Sequence, residues 1–356
     1  MMDNWLVYPY HSSDGWIFKQ NFNKRILSSV KAVLSSEDKL ACMNEDKFIE
    51  VNDFKEEMKK SAGLWIRQSR EDADFYKGIL PKVNYAVKNG KQIFCSRILK
   101  REEEEELRSL VPKCQWIGDI CKETEYTVKN TVFDIDIPVV LFTGVTKKIN
   151  KLQQVLCIQR ELQNKGYRAV VFSDAKEAEL FCNCHWLSMF SSKEKTNSEK
   201  IILANHYVKQ IEIDENPEVI LIGMMEGTST LGNECVEDFG VGVYSITQGV
   251  QPDCTVLNVM YGDYNQDELE QLGKEVSNIT GGDVDFYNIT GKVIDSVGTE
   301  NTNEICTIEL DKELIKKEIK RFNKANVFYT EEESENERLA NAIVDKLADY
   351  ADIISI

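Results

Sequence analysis

The stretch PVVLFTGVTKKINKLQ, residues 138–153, decides how the fold of this chain is interpreted. An unbroken apolar run, typical of a buried parallel strand, leads to Gly144; a polar loop follows, and a helical pattern begins at Lys151. A glycine after a strand and a lysine at the start of a helix are the two ends of a phosphate-binding loop, in which backbone N–H groups and the helix dipole hold an anion. The stretch therefore predicts a parallel α/β sheet with a ligand site at this strand end.

Two residues depart from the usual phosphate loop. Asn150 stands where a second glycine is expected, and Leu152 follows the lysine where a Ser or Thr hydroxyl normally binds Mg²⁺. Asn tolerates positive φ better than other non-glycine residues, so we expect Asn150 to preserve the turn. Lys147 and Lys148 add positive charge that would attract a phosphate or another anion. The alternative is an ordinary strand–loop–helix turn with surface lysines.

A second strand end strengthens the prediction of a ligand site. The apolar run EVILIGMMEG, residues 218–227, ends in Glu226 and Gly227. Ligands of parallel sheets bind outside the carboxyl ends of the strands, so Gly144, Lys151 and Glu226 should surround one crevice. A carboxylate in that crevice would hold Mg²⁺ or a substrate amine. An acidic turn without a ligand is the alternative.

Composition sets the broad class of the protein. The chain has 356 residues, 42% hydrophobic and 29% charged, which suits a soluble globular protein of two or three domains. Its net charge of −17 argues against nucleic acid and anionic membranes as partners. No apolar run approaches the ~18 residues of a membrane span, and no signal peptide is evident, so we expect a cytoplasmic protein. Ten scattered cysteines, several inside apolar runs, indicate buried thiols in a reducing compartment and would suit an anaerobe.

Alternating short strands and helices predict an α/β fold with mostly parallel sheets. Residues 1–130 are expected to form a Rossmann-like domain of three or four strands without a glycine-rich phosphate loop. Residues 131–356 are expected to form a P-loop-NTPase-like domain that ends in C-terminal helices. The polar stretch 120–137 is interpreted as the connection between the two.

The order of elements in the second domain resembles the dethiobiotin-synthetase-like branch of P-loop proteins. In that branch the loop reads like GTDxxVGKT and a later strand ends in EG. Here GVTKKINKLQ (144–153) fills the loop, MEGTST (225–230) the EG position, and GVQPDCTVLNV (249–259) the next strand with its lead-in. The layout is closer still to proteins that carry a Rossmann-like domain before such a P-loop domain.

This resemblance implies ATP with Mg²⁺ as the ligand, and phosphoryl transfer that activates a carboxylate or an amide. Gly144, Lys151 and Glu226 carry over from the pattern, with Gly227 completing the EG pair. The departures at Asn150 and Leu152 leave ATP hydrolysis an open question, and the degenerate loop alternatively serves only to bind a ligand.

More narrowly, the sequence resembles clostridial peptide maturation system proteins, which accompany radical-SAM enzymes and small ribosomal peptide precursors. The matching segments are YPY at 8–10, the strand and loop at 138–151, and the blocks at 200–223 and 246–265. The resemblance implies a maturation factor whose partner is a precursor peptide or a radical-SAM enzyme. It supplies no reaction, so enzyme status and oligomeric state, a homodimer included, stay open.

The FCNCHW stretch, which follows the second predicted strand of this domain, contains the local cluster of soft ligands Cys182, Cys184 and His185. Thiolate and imidazole suit Zn²⁺ or an iron–sulfur site. A fourth ligand, such as His206 or Cys235, would have to join through the fold. A metal or redox protein is therefore a third hypothesis, and ordinary packing of these side chains is its alternative.

Overall fold

The computed structural model divides the chain into two compact units: residues 1–123 with 179–182, and residues 124–178 with 183–356. The boundary expected from the sequence, between 130 and 131, lies shortly after the structural one, and nothing in the sequence pattern indicated the short segment 179–182. The residues that the structure describes are 4–10, 12–18, 30–34, 40–44, 47–51, 53–68, 73–117, 130–229, 239–302, 305–319 and 326–354.

The strands of the first unit form a mixed sheet. They are β1 (Trp5–Tyr8), β2 (Val30–Leu34), β3 (Leu40–Asn44), β4 (Lys47–Val51), β5 (Gly63–Ile66), β6 (Gln92–Cys95) and β7 (Gln115–Trp116). Within the described residues the sheet has seven strands in the order β4-β3-β2-β1-β5-β6-β7, in which β3 pairs antiparallel with both β2 and β4 and the other pairs are parallel. The prediction of three or four strands was therefore too low, because β2, β3 and β4 were not recognised as strands.

The helices of the first unit cover the parallel part of this sheet. They are α1 (Phe54–Lys60), α2 (Leu80–Lys88, entered through a π-helical turn at Phe75–Ile79) and α3 (Arg101–Leu110). Their apolar positions, including Met58, Val83 and Leu107, are fully buried in one cluster with residues of β1, β5 and β6. The repeating apolar positions of the 75–88 segment thus pack as an amphipathic helix should.

The second unit contains a parallel sheet, confirming the predicted α/β fold class. Its strands are β8 (Val139–Gly144), β9 (Ala169–Ser173), β10 (Cys184–Trp186), β11 (Val219–Gly223), β12 (Cys254–Val259) and β13 (Phe286–Ile289), with a separate antiparallel pair β14 (Lys292–Ile294) and β15 (Thr307–Glu309), and finally β16 (Val327–Phe328). The order of the parallel sheet is β10-β9-β11-β8-β12-β13-β16. The strand predicted at 305–310 exists as β15 but pairs outside this sheet.

Helices flank this sheet. They are α4 (Lys151–Asn164), α5 (Asn197–Glu215), α6 (Val241–Gly249), α7 (Gln266–Thr280), α8 (Ser296–Thr302), α9 (Lys312–Ile319) and α10 (Glu333–Ile354). Among the residues that the structure describes, no helix combines the length and the apolar character that crossing a membrane requires.

The strand order places β8 at the centre of the sheet. Residues 139–144 are all buried, as the unbroken apolar run predicted. β8 pairs with β11 on one side and with β12 on the other, while β9, the next strand along the chain, lies beyond β11. The connection from β8 leads past β11 to β9, whereas the connection from β11 leads past β8 to β12, so the two run in opposite directions. The carboxyl ends of such neighbouring strands are where open α/β sheets bind ligands.

Candidate anion-binding site

The loop between β8 and α4 is fixed to the core at two points. Val145 and Ile149 are buried in one apolar cluster with Leu257 of β12. Between them Thr146 is fully buried and its hydroxyl accepts a hydrogen bond from the N–H of Lys148 at 3.1 Å. The loop thus has a defined shape in which Lys147 is exposed and Lys148 half-buried.

Lys151 lies at the centre of the site. Its side chain is fully buried at the first position of α4, and its Nζ donates to the carbonyl oxygen of Thr146 at 2.8 Å. The N-terminus of a helix already carries partial positive charge, so an ammonium group there requires negative charge nearby, part of which the carboxyl of Asp174 supplies. The buried ammonium and the helix dipole therefore favour an anion at the same place.

Asn150 has a different role from the one expected. Its φ of −83° is not in the left-handed region, so the prediction of positive φ was wrong. Instead Asn150 is the N-cap of α4: its Oδ1 accepts a hydrogen bond from the N–H of Gln153 at 3.2 Å. Leu152 is 2% exposed and lies in the interior, so this position supplies an apolar contact in place of a metal-binding hydroxyl.

The strand end of β11 contacts the loop directly. The N–H of Thr228 donates to the carbonyl oxygen of Gly144 at 2.9 Å. A Cβ on Gly227 would lie 2.7 Å from the Cα of Thr146, closer than atoms can approach. Position 227 therefore requires glycine, because the backbone of the loop packs directly against it. The two strand ends that the sequence placed around one crevice do meet.

Glu226 is held at the start of a helix. Its carboxylate accepts a hydrogen bond from the N–H of Gly242, in the first turn of α6. A carboxylate stabilises the positive end of a helix dipole, so this bond gives Glu226 a structural role. The predicted role, holding Mg²⁺ or a substrate amine, stays a prediction.

Asp174 is a site residue that the sequence analysis missed. It directly follows β9, and its Oδ1 accepts a hydrogen bond from the N–H of Met225 at 2.7 Å. Burial raises the pKa of this carboxyl to about 6, against the opposing effects of the Met225 N–H and of the positive charge of Lys151. The signal was present: YRAVVFSD (167–174) ends in an acidic residue, and the 218–227 run has Glu226 next to its end.

Buried amides fix the entry to the loop from the side of β12. The side-chain N–H of Asn258 donates to the carbonyl oxygen of Thr143 at 2.8 Å, and its Oδ1 accepts from Asn288 on β13 at 2.7 Å. A Cβ on Gly144 would lie 3.2 Å from the Cβ of Asn258, so the glycine makes room for this amide. The carboxyl end of β8 is thus supported on both sides.

The candidate metal ligands of the Cys182–His185 segment do not converge on one site. Cys184 is fully buried on β10, with its Sγ 3.7 Å from Oε1 of Gln159 on α4. The next residue, His185, has its Nδ1 3.3 Å from the hydroxyl of Tyr207 and its Nε2 3.1 Å from Oε1 of Glu215, both on α5. Successive side chains of a strand point to opposite faces of a sheet, so these two ligands do not converge.

The remaining candidate ligands do not complete a metal site. Cys182 is half-buried, and the Nε2 of His206 lies 2.7 Å from the carbonyl oxygen of Thr131. Cys235 lies outside the described residues. In the part of the chain that the structure describes, no group of three or more His, Cys, Asp or Glu side chains is arranged to hold a metal ion.

Comparisons with known proteins show the fold and no more. No protein-family profile and no curated protein matches the chain. Among solved structures, a DUF1611 family protein from Anabaena variabilis ATCC 29413 is similar, with a TM-score of 0.60, 11% identity, and coverage of 89% of this chain and 92% of that one. Chloroplast FtsY from Physcomitrella patens matches at a TM-score of 0.29 and 14% identity, covering 53% of this chain and 59% of its own. At 11% identity the similarity to the DUF1611 protein shows the α/β fold alone, and no peptide maturation family is shown.

Proposed function

We propose that the second unit binds a phosphate-containing anion at residues 144–151, and that the protein acts through this site as a maturation factor for a ribosomally made peptide. One observation carries the anion-binding part: Lys151 is a fully buried ammonium at the first turn of a 14-residue helix, at the end of the central parallel strand. Phosphate groups are the common ligands of such helix N-termini.

The charge distribution supports this assignment. The whole chain has a net charge of −17, yet Lys147, Lys148 and Lys151 lie within one short loop. A local positive potential in a negative protein attracts anions to one place and repels them elsewhere. The loop is thus the part of this unit best suited to an anionic ligand.

The loop favours binding over hydrolysis. Leu152 is buried and supplies no hydroxyl for Mg²⁺. The carboxylate of Glu226 is hydrogen-bonded to the first turn of α6. We therefore propose ligand binding as the main function of the loop, and ATP turnover belongs to the alternative function.

The alternative is an ATP-dependent enzyme that activates a carboxylate or an amide. Asp174 is the observation that favours it, because a carboxyl with a pKa of about 6 beside the loop suits proton transfer near neutral pH. Asp174 and Glu226 would then be the carboxylates available for Mg²⁺, since hard cations prefer oxygen ligands.

An apolar surface beside the loop supports the peptide part of the proposal. Phe239, Val241 and Tyr244 are 64%, 45% and 49% exposed at the start of α6, next to Gly242, which binds Glu226. Exposed aromatic and aliphatic side chains that lie together are typical of surfaces that bind other chains. A precursor peptide on this surface would lie close to the anion site, and a radical-SAM enzyme that modifies the peptide is the second proposed partner.

Calorimetric titration tests the anion site. We expect the wild type to bind orthophosphate and ATP, and Lys151→Met to weaken both by at least about tenfold, since a hydrogen bond to a charged group contributes about 1.5–3 kcal/mol. Lys165→Met, at the other end of α4, is the matched control and should bind as the wild type does. Absence of binding by the wild type would overturn the proposal.

Two further readouts separate the functions. Hydrolysis of ATP with Mg²⁺ by the wild type, lost in Lys151→Met, would favour the enzyme over the binding protein. Unchanged peptide maturation in cells that carry Lys151→Ala would remove the link between this site and the peptide.

A further inference from the structure

A series of side-chain hydrogen bonds connects the two ends of the loop between β8 and α4. Gln154, near the start of α4, donates through Nε2 to the hydroxyl of Thr330 at 3.3 Å. That hydroxyl donates to Oδ1 of Asn288 at 3.1 Å, and Nδ2 of Asn288 donates to Oδ1 of Asn258 at 2.7 Å. Asn258 donates in turn to the carbonyl oxygen of Thr143, directly before the loop, at 2.8 Å. The side chains of Gln154, Thr330, Asn288 and Asn258 form the polar chain.

All bonds of the polar chain run in one direction. Each middle member accepts from the residue before it and donates to the residue after it, so turning over one amide would break two hydrogen bonds. Gln154, Asn288 and Asn258 are 5%, 2% and 1% exposed, so the loss of one partner leaves a buried polar group unsatisfied. A satisfied buried network of this kind fixes the relative positions of the elements that it joins.

The polar chain brings a distant part of the sequence to the loop. Thr330 lies in the turn between β16 and α10, and its N–H also donates to Oδ1 of Asn288 at 2.9 Å. The helix α10 contacts α4 through an ion pair as well, in which Nη2 of Arg160 lies 3.2 Å from Oε1 of Glu333. Because the Glu333 side chain is 81% exposed, this pair contributes little. The polar chain is therefore the more specific connection between residues 326–354 and the loop.

Both ends of the loop are held by the polar chain. At the start, Asn258 binds the carbonyl oxygen of Thr143, and its own backbone carbonyl accepts the N–H of Val145 at 3.0 Å. At the end, Gln154 lies three residues after Lys151 on the same helix. Backbone N–H groups bind an anion when they converge on it, and a site loses affinity when its supporting residues shift. The geometry of the loop therefore depends on residues that lie outside it.

We propose that anion binding at the loop is coupled through the polar chain to the docking of residues 326–354, with Asn288 and Thr330 as positioning residues. The docked segment holds the loop in the conformation that binds, and a bound anion stabilises the docking, because coupling between two equilibria is reciprocal. The inference rests on the proposed function, since it requires that the loop binds an anion. The competing explanation is that the polar chain stabilises the sheet alone.

Titration with orthophosphate, well below the melting temperature, tests the effect of the segment on the loop. Asn288→Ala interrupts the polar chain and should weaken phosphate binding about tenfold. Thr330→Val keeps the shape of the side chain and the backbone N–H but removes the hydroxyl, so it should fold and weaken binding about threefold. Thr330→Ser keeps the hydroxyl and should retain wild-type affinity.

Asn205→Ala is the matched control for the loss of a buried amide. Asn205 is fully buried on α5, where it binds the N–H and the carbonyl oxygen of Phe133 at 2.8 Å each and the carbonyl oxygen of Gly249 at 2.7 Å. These partners lie outside the polar chain. Asn205→Ala should lower the melting temperature as Asn288→Ala does, but it should leave phosphate affinity unchanged.

Amide hydrogen exchange tests the reciprocal effect of the anion on the segment. In the wild type, saturating orthophosphate should slow exchange in the first turn of α10 by about fivefold. This slowing should be lost in Thr330→Val and present in Thr330→Ser. A polar chain that serves stability alone would lower the melting temperature when interrupted, without any effect of phosphate on exchange in α10.

The outcomes separate the inference from the proposed function. If the wild type binds no orthophosphate, the proposed function fails and the coupling fails with it. If the wild type binds but Asn288→Ala and Thr330→Val keep its affinity, or if bound phosphate leaves exchange in α10 unchanged, only the coupling is overturned. An equal loss of affinity in Asn205→Ala would trace the effect to general destabilisation and would overturn the coupling as well.

Discussion

The loop at 144–151 and the segment at 182–185 were both predicted from the sequence as ligand sites. In the structure the residues of the first converge, whereas those of the second do not. Gly144 and Lys151 lie far from Gly227 in the sequence, yet the three residues converge because they lie at the ends of neighbouring strands of one parallel sheet. Cys184 and His185 are adjacent in sequence, yet they contact different helices because they lie on one strand. Residues at the ends of neighbouring parallel strands thus come together, whereas consecutive residues of one strand point to opposite faces of the sheet.

Filling the space between the ends of β8 and β11 should disrupt the loop at 144–151. A Cβ on Gly227 would lie 2.7 Å from the Cα of Thr146 and 3.0 Å from the carbonyl oxygen of Val145. Because these are backbone atoms, Gly227→Ala forces the loop to move, which should lower the free energy of unfolding by about 1–3 kcal/mol. The displaced N–H groups should also lower phosphate affinity by more than about tenfold, measured by calorimetry.

Gly282→Ala is the control for this substitution. A Cβ there would meet the carbonyl oxygen of Pro252 at 3.9 Å, an ordinary contact, so stability and affinity should stay close to the wild type. If Gly227→Ala keeps wild-type phosphate affinity while it is destabilised, the contact between strand end and loop serves the fold alone.

The sequence predicted the parts of the fold that depend on local patterns. β8, α4 and β11 were found because buried parallel strands are continuous apolar runs and helices repeat their apolar positions. β2 and β4 were missed because the charged residues in VKAVL and KFIEV interrupt the apolar run without producing a strict alternation, and β3 was missed as well. A two-residue strand such as β16 has no pattern of its own.

The site was predictable only where a known motif covered it. Gly144, Lys151 and Gly227 carried recognisable spacing, whereas Asp174 comes close to Lys151 through strand order, which no local pattern encodes. Asn150 shows a different limit. The sequence predicted that Asn150 preserves the turn, but an Asn suits both positive φ and an N-cap, and only the backbone angle decides between them.

The pH dependence of anion binding tests whether Asp174 belongs to the site at residues 144–151. Burial raises the pKa of Asp174 to about 6, and the charge of Lys151 acts on this carboxyl. Below that pH the carboxyl is neutral; above it, its negative charge opposes an anion beside Lys151. Sulfate keeps its charge across this range, so its affinity should fall by about fivefold as pH rises through 6, for a repulsion of about 1 kcal/mol.

Asp174→Asn should remove this pH dependence and hold sulfate affinity near its low-pH value. Asp136→Asn, which changes a surface carboxylate paired with Lys209, is the control and should keep the wild-type profile. A profile that is flat in the wild type, or one that is unchanged in Asp174→Asn, would place Asp174 outside the anion site.

The smallest effects are expected at the segment 182–185. Because Cys184 contacts Gln159 on α4 while His185 contacts Tyr207 and Glu215 on α5, a metal ion at one of them would lack the other as a ligand. Anaerobically purified protein should therefore carry zinc and iron far below one equivalent, and Cys184→Ala should leave that content and the phosphate affinity unchanged. Stoichiometric metal in the wild type that is lost in Cys184→Ala would show that the segment rearranges to bind it, and strand geometry would then no longer separate the two regions.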